Sequence, residues 1–202
     1  DRYPGQQSLP VVIDGVVYDV LSFNPQAARQ LLSKTGKRLP ARMEFVGGNF
    51  ADTRLIAQVL QRLWRESLGI DLTLILVDVQ SWLQSLFKRG YRHVAEAGSR
   101  AHYVDPTWFL DLFLRPEGNG AGWSEPEFRT LLAEAKSTID PALRMARLAQ
   151  CERRLLEAMP ILPYSYEVAS WLRKPFVRGL GNNLLGRQQF KYVWIDTNWR
   201  PQ

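Results

Sequence analysis

Few residues in this chain are of a type that does chemistry. It holds two histidines, His93 and His102, and one cysteine, Cys151. No His-x-x-x-His, Cys-x-x-Cys or Gly-x-Ser-x-Gly occurs, and no glycine-rich phosphate loop follows a strand. Gly47-Gly48-Asn49 sits between a strand and a helix, where backbone amides could meet an anion. Without further glycines or a Lys/Ser pair it reads as a tight turn. Cys151 stands beside Leu148 and Leu155 on one helix and reads as a small buried hydrophobe. Asp105 and Asp111 could pair for acid–base work, yet Asp105 precedes Pro106 and reads first as a helix cap. His93 alternates within a strand, as a satisfied or surface imidazole does. No catalytic constellation assembles, so no enzyme, cofactor or metal site is expected. What stands out is a set of aromatic residues at loop positions: Tyr103, Trp108, Trp123, Tyr164, Tyr166 and Trp171. Some must serve the core. Beside the polar Ser99, Arg100, His102 and Asn119, others suit a concave site that clasps a polar ligand.

The elements that would position these residues follow from periodicity and turn chemistry. Val11-Val12-Ile13 and Val16-Val17, separated by Asp14-Gly15, read as a hairpin. Asn24 and Pro25 open a short helix that Gly36 ends. A strand at 42–46 leads to a helix over 52–68, with Leu55, Ile56, Val59, Leu60, Leu63 and Trp64 as its apolar face and Gly69 as its stop. A strand at 70–77, a helix at 81–88 and a strand at 91–97 follow. Alternation of strand and helix in this order means parallel strands joined by crossovers. Asp105-Pro106 opens a helical segment through Leu114, and Ser124 with Glu127 reads as a capping box. Asp140-Pro141 starts a helix that runs to about Met159. From Ile161 the character changes to short strands and loops rich in Tyr, Trp, Val and Phe.

The 202 residues allow one domain or two small ones, and 46% hydrophobic with 23% charged residues is near the globular average. The longest apolar run, Leu72 to Val77, is far short of the ~20 residues of a membrane span. A single cysteine excludes an internal disulfide and a cysteine-rich zinc site. The net charge of +6 raises the question of nucleic acid. The basic groups, Lys34/Lys37/Arg38, Arg153/Arg154 and Arg173/Lys174, are short and scattered, and no nucleic-acid partner is expected.

Several segments, in order, resemble the C-terminal half of the family 5 bacterial extracellular solute-binding proteins, the dipeptide- and oligopeptide-binding components of ABC importers. Residues 23–32, Phe-Asn-Pro-Gln-Ala-Ala-Arg-Gln-Leu-Leu, are similar to an Asn-Pro-led helix of that family. Ile56 to Gln61, with Leu68-Gly69-Ile70, a strand and then Trp82, follows the same order. Tyr103-Val104-Asp105-Pro106-Thr107-Trp108-Phe109-Leu110 resembles Asp-Tyr-x-Asp-Pro-x-x-Phe-Leu, and Trp123-Ser124-Glu125-Pro126-Glu127-Phe128 resembles Tyr-x-Asn-Pro-Glu-Phe-Asp. Pro160 to Tyr164 and Lys174 to Leu180 complete the set.

This resemblance implies an α/β fold: a type II periplasmic-binding-protein lobe with a mixed sheet flanked by helices, plus a β- and loop-rich C-terminal tail. Residues 1–160 would form the second lobe and 161–202 a return segment towards a first lobe absent from this chain. The implied function is capture of a peptide-like or other small polar solute by lobe closure, in the periplasm or outside the cell near the membrane. The partners would be a membrane permease, the N-terminal lobe and, through exposed cleft surface, a second copy in a homodimer. The alternative is a non-catalytic sensor or interaction module built on the same lobe. The expected ligand-binding set is Ser99, Arg100, His102 and Tyr103 after a strand end, with Asn119 and Trp123 in a following loop. His102 stands where peptide-binding members carry an aspartate that pairs with the peptide's ammonium group. That favours anionic, sugar-like or metal-chelate ligands; otherwise His102 serves local hydrogen bonds only.

Overall fold

The computed structural model describes residues 10–13, 15–19, 22–36, 39–40, 42–165, 171–181 and 185–200. Tyr166, Asp14 and the 166–170 part of the tail lie outside the described residues. The strands β1 (Pro10–Ile13) and β2 (Val16–Asp19) pair antiparallel, and Gly15 between them has a positive φ of 76°, as a tight hairpin turn requires. Val11 is fully buried against Leu156, which ties this hairpin to the helical half of the molecule. Helix α1 (Pro25–Lys34) begins where Asn24 predicts it: the Asn24 Oδ1 accepts from the Ala27 amide at 2.9 Å.

The central unit alternates β3 (Arg42–Gly48), α2 (Ala51–Leu68), β4 (Asp71–Val77), α3 (Val79–Phe87) and β5 (Val94–Ala95). The three strands form one parallel sheet in the order β4-β3-β5, with Phe45 opposite both Leu74 and Val94. Mixed strand direction therefore arises between sheets, from this parallel sheet and two antiparallel pairs.

Two local expectations change here. The 52–68 stripe is wider than one helix face, since residues are set 100° apart. Thr53 and Ala57 are buried, while Leu55 and Val59 are 63% and 41% exposed. The 91–97 strand shrinks to two residues. The Glu44 amide donates to the His93 Nδ1 at 3.1 Å, so the ladder starts only at Val94.

The second half is helical. The segment after Asp105 divides into α4 (Thr107–Leu110) and a 3₁₀ turn at Asp111–Phe113. Helices α5 (Pro126–Ser137) and α6 (Pro141–Ala158) then pack as a hairpin. Phe128, Leu132 and Ala135 on α5 meet Leu148, Cys151 and Leu155 on α6, with Leu110 and Phe113 closing the cluster. The spacings i, i+4, i+7 and i, i+3, i+7 put each set on one face. Burial pushes the Cys151 thiol up to about 11, as its hydrophobe role requires.

The expected capping box does not form. Ser124 Oγ donates to the Leu114 carbonyl, and Glu125 takes the cap position with its carboxylate bound in a fork by Arg154. Beyond α6, Ile161 packs against the helical core, and β6 (Val177–Arg178) pairs antiparallel with β7 (Trp194–Ile195).

Candidate ligand-binding site

In a parallel sheet all strands end on one edge, and the loops leaving that edge gather there. Here the edge collects Gly47 and Gly48 at the end of β3 with Asn49 beyond them, Val77 at the end of β4 with Asp78 beyond it, and Glu96 after β5; the Asn49 amide donates to the Val77 carbonyl at 2.8 Å. Phe50 and Trp82 meet edge to face beside it, ring centroids 6.1 Å apart.

The loop leaving β5 carries Ser99, Arg100, His102 and Tyr103, all exposed. Trp108 on α4 organises it. The His102 imidazole stacks on the Trp108 indole at 4.2 Å and 24°, and Tyr103 meets the same indole edge-on at 5.5 Å. The Trp108 Nε1 donates to the Ser99 Oγ at 3.3 Å. Three of the four expected residues therefore converge on one ring, and Arg100 lies between them in sequence.

Asp105 holds this arrangement to the helical core. Its Oδ1 accepts from the Thr107 amide (2.9 Å), the Thr107 hydroxyl (2.7 Å) and the Arg144 Nη2 (2.9 Å), while its Oδ2 faces the Arg144 Nη1 at 2.9 Å. Burial alone would raise this carboxyl. The hydrogen bonds from Arg144 and Thr107, with the guanidinium charge, outweigh burial and bring it down to about 2.

Asn119 and Trp123 are placed differently. The Asn119 amide nitrogen donates to the carbonyls of Leu112, Arg115 and Trp123, and its oxygen accepts from the Trp123 amide. The Trp123 ring packs against Phe113 and Phe128. Together they close the loop before α5.

One group at the sheet edge gives no sign of itself in the sequence beyond being a lone acid in Val-Ala-Glu-Ala-Gly. Glu96 is fixed through its backbone: its amide donates to Val46 (2.8 Å) and its carbonyl accepts from the Trp82 Nε1 (2.9 Å). Its Oε1 accepts from the Thr53 hydroxyl (3.0 Å) and the Tyr164 hydroxyl (3.1 Å), but its Oε2 is shielded from solvent and has no partner. Burial, the Glu96 charge and that hydrogen bond push the Tyr164 phenol up to about 12, so it stays a donor. A Cβ on Gly47 would lie 3.0 Å from this Oε2 and 2.8 Å from the Thr53 Cγ2, so only glycine leaves room for the carboxylate.

No protein-family model matches the chain. It is 30% identical over 176 residues to the periplasmic oligopeptide-binding protein OppA of Salmonella typhimurium, covering 84% of this chain and 32% of that protein. It is 26% identical over 186 residues to the dipeptide-binding protein DppE of Bacillus subtilis, covering 89% of this chain and 34% of the relative. Among solved structures, Haemophilus influenzae OppA in complex with RPPGFSPFR superposes with a TM-score of 0.78 at 22% identity, over 96% of this chain and 41% of that one. The chain spans between 23% and 34% of the length of the curated relatives it matches first. By sequence and by fold, it is a partial-length relative of the family 5 extracellular solute-binding proteins, the peptide-binding group built on the type II periplasmic-binding architecture.

Proposed function

We propose that the chain is a substrate-binding lobe of an ABC-importer solute-binding protein and captures a peptide-like or other small polar solute without catalysis. The observation that carries this reading is the convergence of His102, Tyr103 and Ser99 on Trp108, next to Arg100, just beyond the strand-end edge of the parallel sheet. Stacked rings provide an apolar floor, and the exposed imidazole, guanidinium and hydroxyls provide orienting polar groups. Asn119 and Trp123 enter as the pair that fixes the neighbouring loop. In this reading a first lobe completes the cleft and residues 161–202 return towards it. The ligand stabilises the closed state by binding it better than the open one. The named periplasmic location of the relatives supports a periplasmic or extracellular site of action beside a membrane permease. Exposed Phe50, Leu55, Val59 and Leu83 supply apolar surface through which two copies could pair.

The test is ligand-induced thermal stabilisation of the whole chain by a mixture of short peptides. The native chain should gain stability, and Arg100→Ala with His102→Ala together should remove the gain while leaving the unliganded melting temperature unchanged within a few degrees. Equal stabilisation of the native chain and the double variant would contradict the assignment.

A further inference from the structure

Glu96 is the group whose surroundings are least explained by the fold. Among the described residues no Lys or Arg pairs with it, although the chain as a whole carries an excess of six positive charges. A shielded carboxylate oxygen without a donor is costly, and such an oxygen marks a place where a donor from outside would be bound. Both hydroxyl donors approach the same oxygen, Oε1, so the other oxygen has acceptor capacity to spare.

We propose that Glu96 is the anchor for a cationic group on the captured solute, a primary ammonium or a guanidinium, which reaches the carboxylate by displacing the Tyr164 hydroxyl. The inference rests on the solute-binding reading above and adds to it the charge of the ligand. The position fits: Glu96 directly follows β5 at the strand-end edge, six residues before His102 in the same loop. Its backbone is held on both sides by Val46 and Trp82, so the carboxylate is preorganised. Gly47 leaves it the space. Tyr164 is 43% exposed, and one hydroxyl bond ties its ring to the carboxylate, so an ammonium with three donors can take its place. A ligand with a cation at Glu96 and an anionic or polar end near Arg100 and His102 matches the charges found along the loop.

The probes are trialanine and N-acetyltrialanine, which differ in one positive charge, titrated into the isotope-labelled whole chain and read by amide chemical shifts. Trialanine should shift Gly47, Gly48 and Glu96 and bind about tenfold more tightly than the acetylated form, the range of a charge-assisted hydrogen bond. Glu96→Gln keeps the size and the acceptor for Thr53 and Tyr164, and should erase that preference; Tyr164→Phe should strengthen trialanine binding. Equal affinity of the two peptides for the native chain overturns the proposal without recourse to any variant. Shifts at 99–103 with none at Gly47 and Glu96 overturn it while leaving the solute-binding reading intact. No shift anywhere with either peptide overturns both.

Discussion

Replacing Phe128 with alanine is expected to lower the free energy of unfolding by about 3–5 kcal/mol, the largest single effect in the molecule. The side chain is fully buried at the first turn of α5 and meets the Trp123 indole edge-on at 5.2 Å. Around it lie Leu132, Leu148, Cys151 and Leu155 of the same buried cluster, on two helices packed against each other, so the space left can close only in part. The cost therefore includes lost transfer energy and a cavity. Leu55→Ala is the contrast. Leu55 is of similar apolar character but 63% exposed, and its loss should change stability by no more than about 0.5 kcal/mol. Urea unfolding of both variants checks this. A Phe128→Ala cost below about 1 kcal/mol would mean that α5 and α6 do not form the core described.

Asp105 should give the second-largest effect, and one with a pH signature. A carboxyl held at about 2 in the fold and at about 4 in the unfolded chain contributes about 2.5 kcal/mol. Because the folded value is the lower, that contribution is complete above about pH 4 and is lost as pH falls from about 4 through about 2. Asp105→Asn should remove this component, so its stability curve should be flatter than that of the native chain across that interval. At neutral pH the same variant leaves Arg144 without its carboxylate in a setting only about a quarter exposed, at a cost of about 2–3 kcal/mol. Trp108 begins one residue past the Thr107 that Asp105 holds, so the His102 stack should loosen as well. Parallel curves for the two proteins between pH 4 and pH 2 would contradict this role.

Elements whose signal is local were legible in the sequence. Asn24-Pro25 and Asp140-Pro141 start helices because capping depends on residues three positions apart, and Gly69 stops one because it can take a positive φ. Strand and helix alternation gave the parallel sheet by the same local logic. What failed depended on distant partners. Ser124 bonds the Leu114 carbonyl instead of capping with Glu127, Glu125 takes the cap position in the grip of Arg154, and the start of β5 is set by Glu44 meeting His93. The site divides in the same way. The 99–103 loop could be placed after a strand by its order in the chain. Glu96 could not be singled out, because what sets it apart is an oxygen left unpaired among Thr53, Gly47 and Tyr164, residues up to 68 positions away. Asp105 read as a cap; the cap position of α4 falls on Pro106, while the Asp105 carboxylate accepts from the Thr107 amide and hydroxyl, and that it also grips Arg144 across 39 positions was beyond any local pattern.

The proposed function places a small polar solute at the strand-end edge of the sheet. Native mass spectrometry of the whole chain, sprayed gently from a mixture of di- to pentapeptides, tests it most directly. A one-to-one adduct with one or a few members of the mixture is expected, absent from the Arg100→Ala, His102→Ala double variant. A spectrum showing only the bare chain with every peptide, or an adduct that the double variant retains in full, would contradict it.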